Sequence, residues 1–137
     1  MARALKWLVL TTGVACVAIG LGHVVLGNAA VPGIGASAGA TIDSLGRFLG
    51  AAFAGYGLAW IWAARQSPIP ANAVRWLAAV FLLGAAGRLL SLAVHGWPHG
   101  FQVGLLVVEL VMPPLYFWLA GADERAHAQV KIIKGAE

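Results

Sequence analysis

The sequence predicts an all-α integral membrane protein, a four-helix bundle with both termini in the cytoplasm. Three observations carry that expectation. Of 137 residues, 61% are hydrophobic and only 10% charged, against about a quarter charged in a soluble domain. Four apolar runs, Trp7–Leu26, Ile42–Ala64, Arg75–Val94 and Phe101–Leu119, approach or reach the roughly 20 residues that cross a bilayer. The basic residues then fall on alternate connections. Arg3 and Lys6 lie before the first run, Arg65 and Arg75 bracket the link between the second and third, and Arg125, Lys131 and Lys134 follow the fourth. Residues 27–41 and 95–100 hold no lysine or arginine, so the positive-inside bias sets both ends and the middle link inside the cell. The net charge of +4 is thereby a matter of topology, and no nucleic-acid partner is expected. The expected location is a bacterial inner membrane, crossed several times, with the lipid bilayer as partner; protein partners and oligomeric state stay open.

The first run begins MARALKWLVLTTGVACVAIGLG, which also has the basic lead and apolar core of a signal peptide. Its GVAC resembles a lipoprotein cleavage site, with Gly13 where a larger apolar residue is usual. The length of the run favours a retained span, as does a stripe of Thr12, Cys16, Gly20, His23 and Gly27 at helical spacing. Cys16, the single cysteine, has no internal disulfide partner and is expected to pack as a small core residue.

Residues 27–41, GNAAVPGIGASAGAT, form a Gly/Ala-rich outer cap, flexible or partly re-entrant. The second run places Asp43, Arg47, Gly50, Ala54 and Gly57 on one face. QSPIPANA is a proline-punctuated turn. The third run aligns Gly84, Arg88, Ser91 and His95, and HGWPHG is short enough only for a tight outer hairpin. The fourth aligns Gln102, Glu109, Pro113 and Tyr116. Lipid offers polar groups no partner, so all four stripes are expected to turn inward and form a polar seam. Residues 1–121 are thus the membrane domain and 122–137 a polar cytoplasmic tail.

Depth follows from the helical rise. Arg88 is seven residues below His95, roughly 10 Å under the outer boundary, and Glu109 is at a similar depth below Phe101. Asp43, Arg47 and His23 share that outer layer. The formal charges of Asp43, Glu109, Arg47 and Arg88 sum to zero, and unpaired charges at mid-membrane cost about 2.5–3.5 kcal/mol each. Pairing is therefore expected, Arg47 with Glu109 and Arg88 with Asp43 across the bundle, with Asp43 and Arg47 also adjacent at i,i+4.

Plainer readings stand beside a functional one. Asp43 near a helix start can simply cap free amides, and the pairs can serve only to fix helix register. The functional reading is a pocket toward the outer leaflet that binds a small apolar or amphipathic molecule or a lipid, with acid–base chemistry such as isomerisation as an option. Glu109 and Asp43 would be its catalytic carboxylates, and Arg47, Arg88, His23, Ser91, His95, His99 and Tyr116 its ligand-binding groups. Whether the chain is an enzyme stays open. Proton-linked transport, or a membrane subunit of a redox or efflux assembly, is the alternative. It is weakened because the inner halves of the stripes offer only Thr12, Gly57 and Tyr116. A structural protein with the charges as helix glue is the third. No metal site is expected: Gly96 and Pro98 break the helix that would align His95 with His99, and no glutamate completes a zinc-protease motif. No cofactor is expected, and a haem between His23 and His95 is permitted by depth alone.

The segments TIDSLGRFLGAAFAGYGLAWIWAAR, FLLGAAGRLLSLAVHGWPHG and VELVMPP together resemble a bacterial family of small four-helix membrane proteins catalogued as a domain of unknown function, akin to DoxX-like membrane proteins. The resemblance runs from about His23 to Pro114. The matching hallmark positions are Asp43, Ser44, Arg47, Phe48, Arg88, Ser91, His95, Gly96, Pro98, His99, Glu109 and Pro113. It implies a four-helix membrane fold and no particular reaction.

Overall fold

Four helices account for nearly all of the chain in this computed structural model, which describes residues 2–34 and 38–134. They are α1 Ala2–Leu26, α2 Gly39–Arg65, α3 Ala71–His95 and α4 Gly100–Lys134, with a 3-10 turn at Gly27–Ala30 after α1. The protein is all-α, as expected. Part of the predicted outer cap, residues 35–37, and the last three residues of the predicted tail lie outside the described residues.

Each boundary has a local cause. α3 stops where Gly96 takes a positive φ of 79° and its N–H returns to the Leu92 carbonyl, a helix-ending geometry that suits glycine. His99 opens α4: its ring Nδ1 accepts the Phe101 N–H at 3.2 Å, and its carbonyl accepts the Gln102 N–H at 2.8 Å. Both answer the orphan donors of a helix start. α2 ends at SPIP, and the Pro70 carbonyl takes the Val74 N–H as α3 begins. α4 continues through Pro113 and Pro114, which withhold the N–H groups that the Glu109 and Leu110 carbonyls would otherwise receive.

Three helical stretches, Arg3–Ala30, Ala71–His95 and Gly100–Val130, are long and apolar enough to cross a membrane. The protein is accordingly a multi-pass membrane protein by length and composition. α2, expected as a fourth equivalent span, is as long at 27 residues but less uniformly apolar. Asp43, Arg47, Gly50 and Gly57 share the face that meets α1, and large residues such as Phe48, Leu58 and Trp62 are exposed on other sides.

α1 and α2 pack along their lengths with little between them. A methyl group built on Gly20 would lie 2.5 Å from both the Ala54 nitrogen and the Gly50 carbonyl oxygen, and one on Gly57 would lie 2.7 Å from the Gly13 carbonyl. The contact is thus backbone on backbone, the close approach that membrane helices achieve through small residues. α3 and α4 form a second pair.

The two pairs share one core, gathered at the end where α1 and α3 start and α2 finishes. Leu5, Val9, Trp60, Ala63, Ala64, Val74, Ala78, Tyr116, Leu119 and Ala120 compose it. Trp60 is fully buried, with its ring centroid 4.6 Å from that of Tyr116. Its indole Nε1 has no hydrogen-bond partner among the described residues. At the opposite end the picture reverses: no residue of α3 after Ala85, and no residue of α4 before Pro113, is buried. The helix pairs close on each other at one end and leave the other end open.

Candidate functional site

The charged residues form two groups at the open end. In the first, Arg47 Nε donates to Asp43 Oδ2 at 2.7 Å, one turn away on α2. Arg47 Nη1 reaches across to the carbonyls of Val24 at 2.6 Å and Val25 at 3.2 Å. Those carbonyls belong to the last turn of α1, where a cation suits the helix dipole. Asp43 Oδ1 accepts the Asn28 N–H at 3.0 Å. Gly27, at φ +57°, lies between them: a methyl there would collide with Asp43 Oδ1 and stand 2.6 Å from Arg47 Nη2. The group ties the end of α1 and the turn after it onto α2.

In the second group, Arg88 Nε of α3 donates to Glu109 Oε2 of α4 at 2.8 Å. Arg88 Nη1 donates to Gln102 Oε1 at 2.6 Å. The side chains are 33% and 14% exposed for Arg88 and Glu109, so the carboxylate is the deeper partner. Gly84 faces it, with the site of a methyl 3.5 Å from Glu109 Oε2. Gln102 and Glu109 are seven residues apart on one face of α4, so a single guanidinium spans both.

The expected cross-bundle pairing is therefore corrected. Arg47 pairs with Asp43 on its own helix rather than with Glu109, and Arg88 takes Glu109 rather than Asp43. Among the described residues no ion pair joins the two groups. The reason is geometric: each arginine has a carboxylate within its own helix pair, and the pairs diverge at this end.

Beside the second group lies a cleft of about 390 Å³, between residues 31–34, the end of α3 and the start of α4. Arg88, Ser91, His99 and Gln102 supply its polar lining, and Leu92, Trp97, Val103 and Leu106 are among its apolar walls. The methyl position of Gly33, at φ +93°, is 2.8 Å from His99 Cβ, so the loop reaches the hairpin between α3 and α4.

Of the residues expected at a site, Arg88, Ser91 and His99 line this cleft, with Glu109 bonded to Arg88. Asp43 and Arg47 belong to the first group. His95 is exposed at the end of α3, and the His23 Cβ packs over Gly50. Tyr116 is in the core at the closed end, its hydroxyl hydrogen-bonded to that of Thr12 and 3.4 Å from the Leu8 carbonyl. No three histidine, cysteine or carboxylate residues converge for a metal among the described residues.

Two participants were given no role from the sequence. Gln102 shared the polar face of α4, but as a neutral amide it has no place in a charge balance. Residues 31–34 carry no chemical signature, and only the fold brings them over the cleft.

A family profile described as a domain of unknown function (DUF4345) matches residues 4–120. No curated protein and no solved structure matches the chain.

Proposed function

The chain belongs to the DUF4345 family, and from that premise we propose that it is a membrane protein that binds a small amphipathic molecule or lipid in the cleft beside Arg88. One observation carries the reading. A guanidinium held in place by Glu109 and Gln102 shares the cleft with Ser91 and His99, amid apolar walls. Membrane-embedded ionisable groups commonly mark ligand paths, and ligand sites are mostly apolar with a few oriented polar groups. The alternation of basic connections supports an outward-facing cleft, cytoplasmic termini and an inner-membrane location. Kinship with DoxX-like proteins belongs to the same proposal.

Glu109 is the carboxylate best placed for acid–base chemistry, and in that case Arg88 would have to release it. For Asp43 and Arg47 a second reading is favoured by a specific observation. Their charged atoms are taken up by each other, by Asn28 and by the α1 carbonyls, which is the work of helix glue.

The test is native mass spectrometry of protein extracted into nanodiscs. A molecule should stay bound to the wild-type protein and be lost from Val103→Phe, which fills the cleft, while the helical content is unchanged. A wild-type protein that carries nothing beyond bulk lipid, or a ligand retained equally by Val103→Phe, would overturn the proposal.

A further inference from the structure

The charge balance of the cleft points to the chemistry of its occupant. We infer that the head group it receives is an uncharged carbonyl, such as the ester of a neutral acylated amphiphile, held by hydrogen-bond donors rather than by net charge. This rests on the cleft being a binding site, as proposed above.

Four observations lead there. Among the described residues Arg88 is the one arginine of the lining, and its charge is met by Glu109 at 2.8 Å. The pair is formally neutral, so an anion entering the cleft would find no surplus charge to offset the loss of its hydration. The amino end of α4 adds about half a charge, too little to match the several kcal/mol that desolvating a full ion costs. Second, His99 Nδ1 accepts the Phe101 N–H. With Nδ1 so engaged, Nε2 is the ring nitrogen left to donate.

Third, the polar groups without partners are mainly donors. Arg88 uses Nε and Nη1 on Glu109 and Gln102, and its Nη2 makes no hydrogen bond among the described residues. Ser91 makes none either, and its hydroxyl can donate. Gln102 Oε1, the acceptor, is already taken by Arg88. A carbonyl oxygen with two lone pairs suits Arg88 Nη2, Ser91 Oγ and His99 Nε2 better than a donor-bearing head would. Fourth, at about 390 Å³ the cleft is at the small end of ligand pockets, which run roughly 300–1,000 Å³. It has room for a head and the first part of a chain. The remainder would run past Leu92, Val103 and Leu106 into the bilayer.

Three brominated probes of equal chain length separate the possibilities: methyl dibromostearate, dibromostearic acid held above its titration range, and dibromo-octadecane. Each is titrated into nanodiscs, and saturable quenching of Trp97 is taken as the difference between the wild-type protein and Trp97→Phe. The ester should half-saturate at about fivefold lower mole fraction than the acid or the alkane, the worth of one net hydrogen bond. Glu109→Gln leaves Arg88 with unbalanced charge and should reverse the order, placing the acid ahead of the ester.

If the wild-type protein takes the acid first, or the alkane as readily as the ester, the carbonyl assignment falls while the binding site stands, provided that Val103→Phe abolishes the saturable signal. An unreversed order in Glu109→Gln also overturns the assignment. Absence of saturable Trp97 quenching by all three probes overturns the binding site itself. Should Glu109→Gln fail to fold, the order of the three probes on the wild-type protein decides alone.

Discussion

Arg47 and Arg88 are the same residue type in the same layer, and they do different things because of what lies one turn away. Arg47 has Asp43 four residues before it on α2 and the last carbonyls of α1 opposite. It is consumed by structure. Arg88 has no carboxylate on its own helix and reaches α4 for one. Its remaining donor is next to a cleft. Removing one partner of a sequestered pair strands the other, at a cost of about 3–5 kcal/mol when fully buried. With Arg88 a third exposed, about 1–3 kcal/mol is the expected cost of Glu109→Leu. The double variant Arg88→Met with Glu109→Leu should lose less than either single one, as read from unfolding midpoints in detergent. Gly27→Ala forces a side chain into a positive-φ position against Asp43 and Arg47. It should lower the stability by about 1–3 kcal/mol, whereas Gly22→Ala, with nothing within 4 Å, should not. That the charges would pair was legible from their zero sum. Which partner each would choose was not, because that depends on where the helix pairs diverge.

At the scale of elements, α1 and α2 show how far a stripe of small residues can be read. Their shared face was legible in part from spacing: Gly20, Gly50, Ala54 and Gly57 stand on the stripes and meet the facing helix, whereas Gly13, which meets Gly57, stands outside the α1 stripe. Gly20→Val should force two backbones apart and cost more than the roughly 1–3 kcal/mol typical of overpacking, since no side chain there can move aside. Gly55→Val, on a side with nothing within 4 Å, is the matched control, and thermal unfolding in the same detergent compares them. α2, which the sequence offers as a fourth span, is 27 residues long but does not stand among the three stretches long and apolar enough to cross a membrane. Through the polar stretch that follows the fourth apolar run, α4 runs on to Lys134. ADERAHAQVK contains no glycine or proline to stop it.

For the molecule as a whole, the sequence showed four helices and a polar layer at one end, but not that the end would be open. A stripe on each helix suggests one shared seam. Two close pairs joined by a core around Trp60 and Tyr116 satisfy the same pattern with two seams and a gap between them. Open and closed ends follow from side-chain size, since the large aromatic residues Trp60, Tyr116, Tyr56 and Phe81 interlock toward one end. The proposed orientation makes a direct prediction. A membrane-impermeant thiol reagent on intact cells should label Gly100→Cys at once, and Ser67→Cys only after permeabilisation. The reverse pattern would turn the cleft toward the cytoplasm.

Arg88, fixed between α3 and α4, is proposed to present a ligand-binding cleft within the membrane. An experimental structure in lipid nanodiscs, at a resolution that shows small molecules, tests it most directly. Arg88 should then be found on Glu109 and Gln102, with elongated non-protein density running from His99 past Val103 and Leu106. Arg88 turned out among the acyl chains, or walls collapsed together with no density between them, would contradict it.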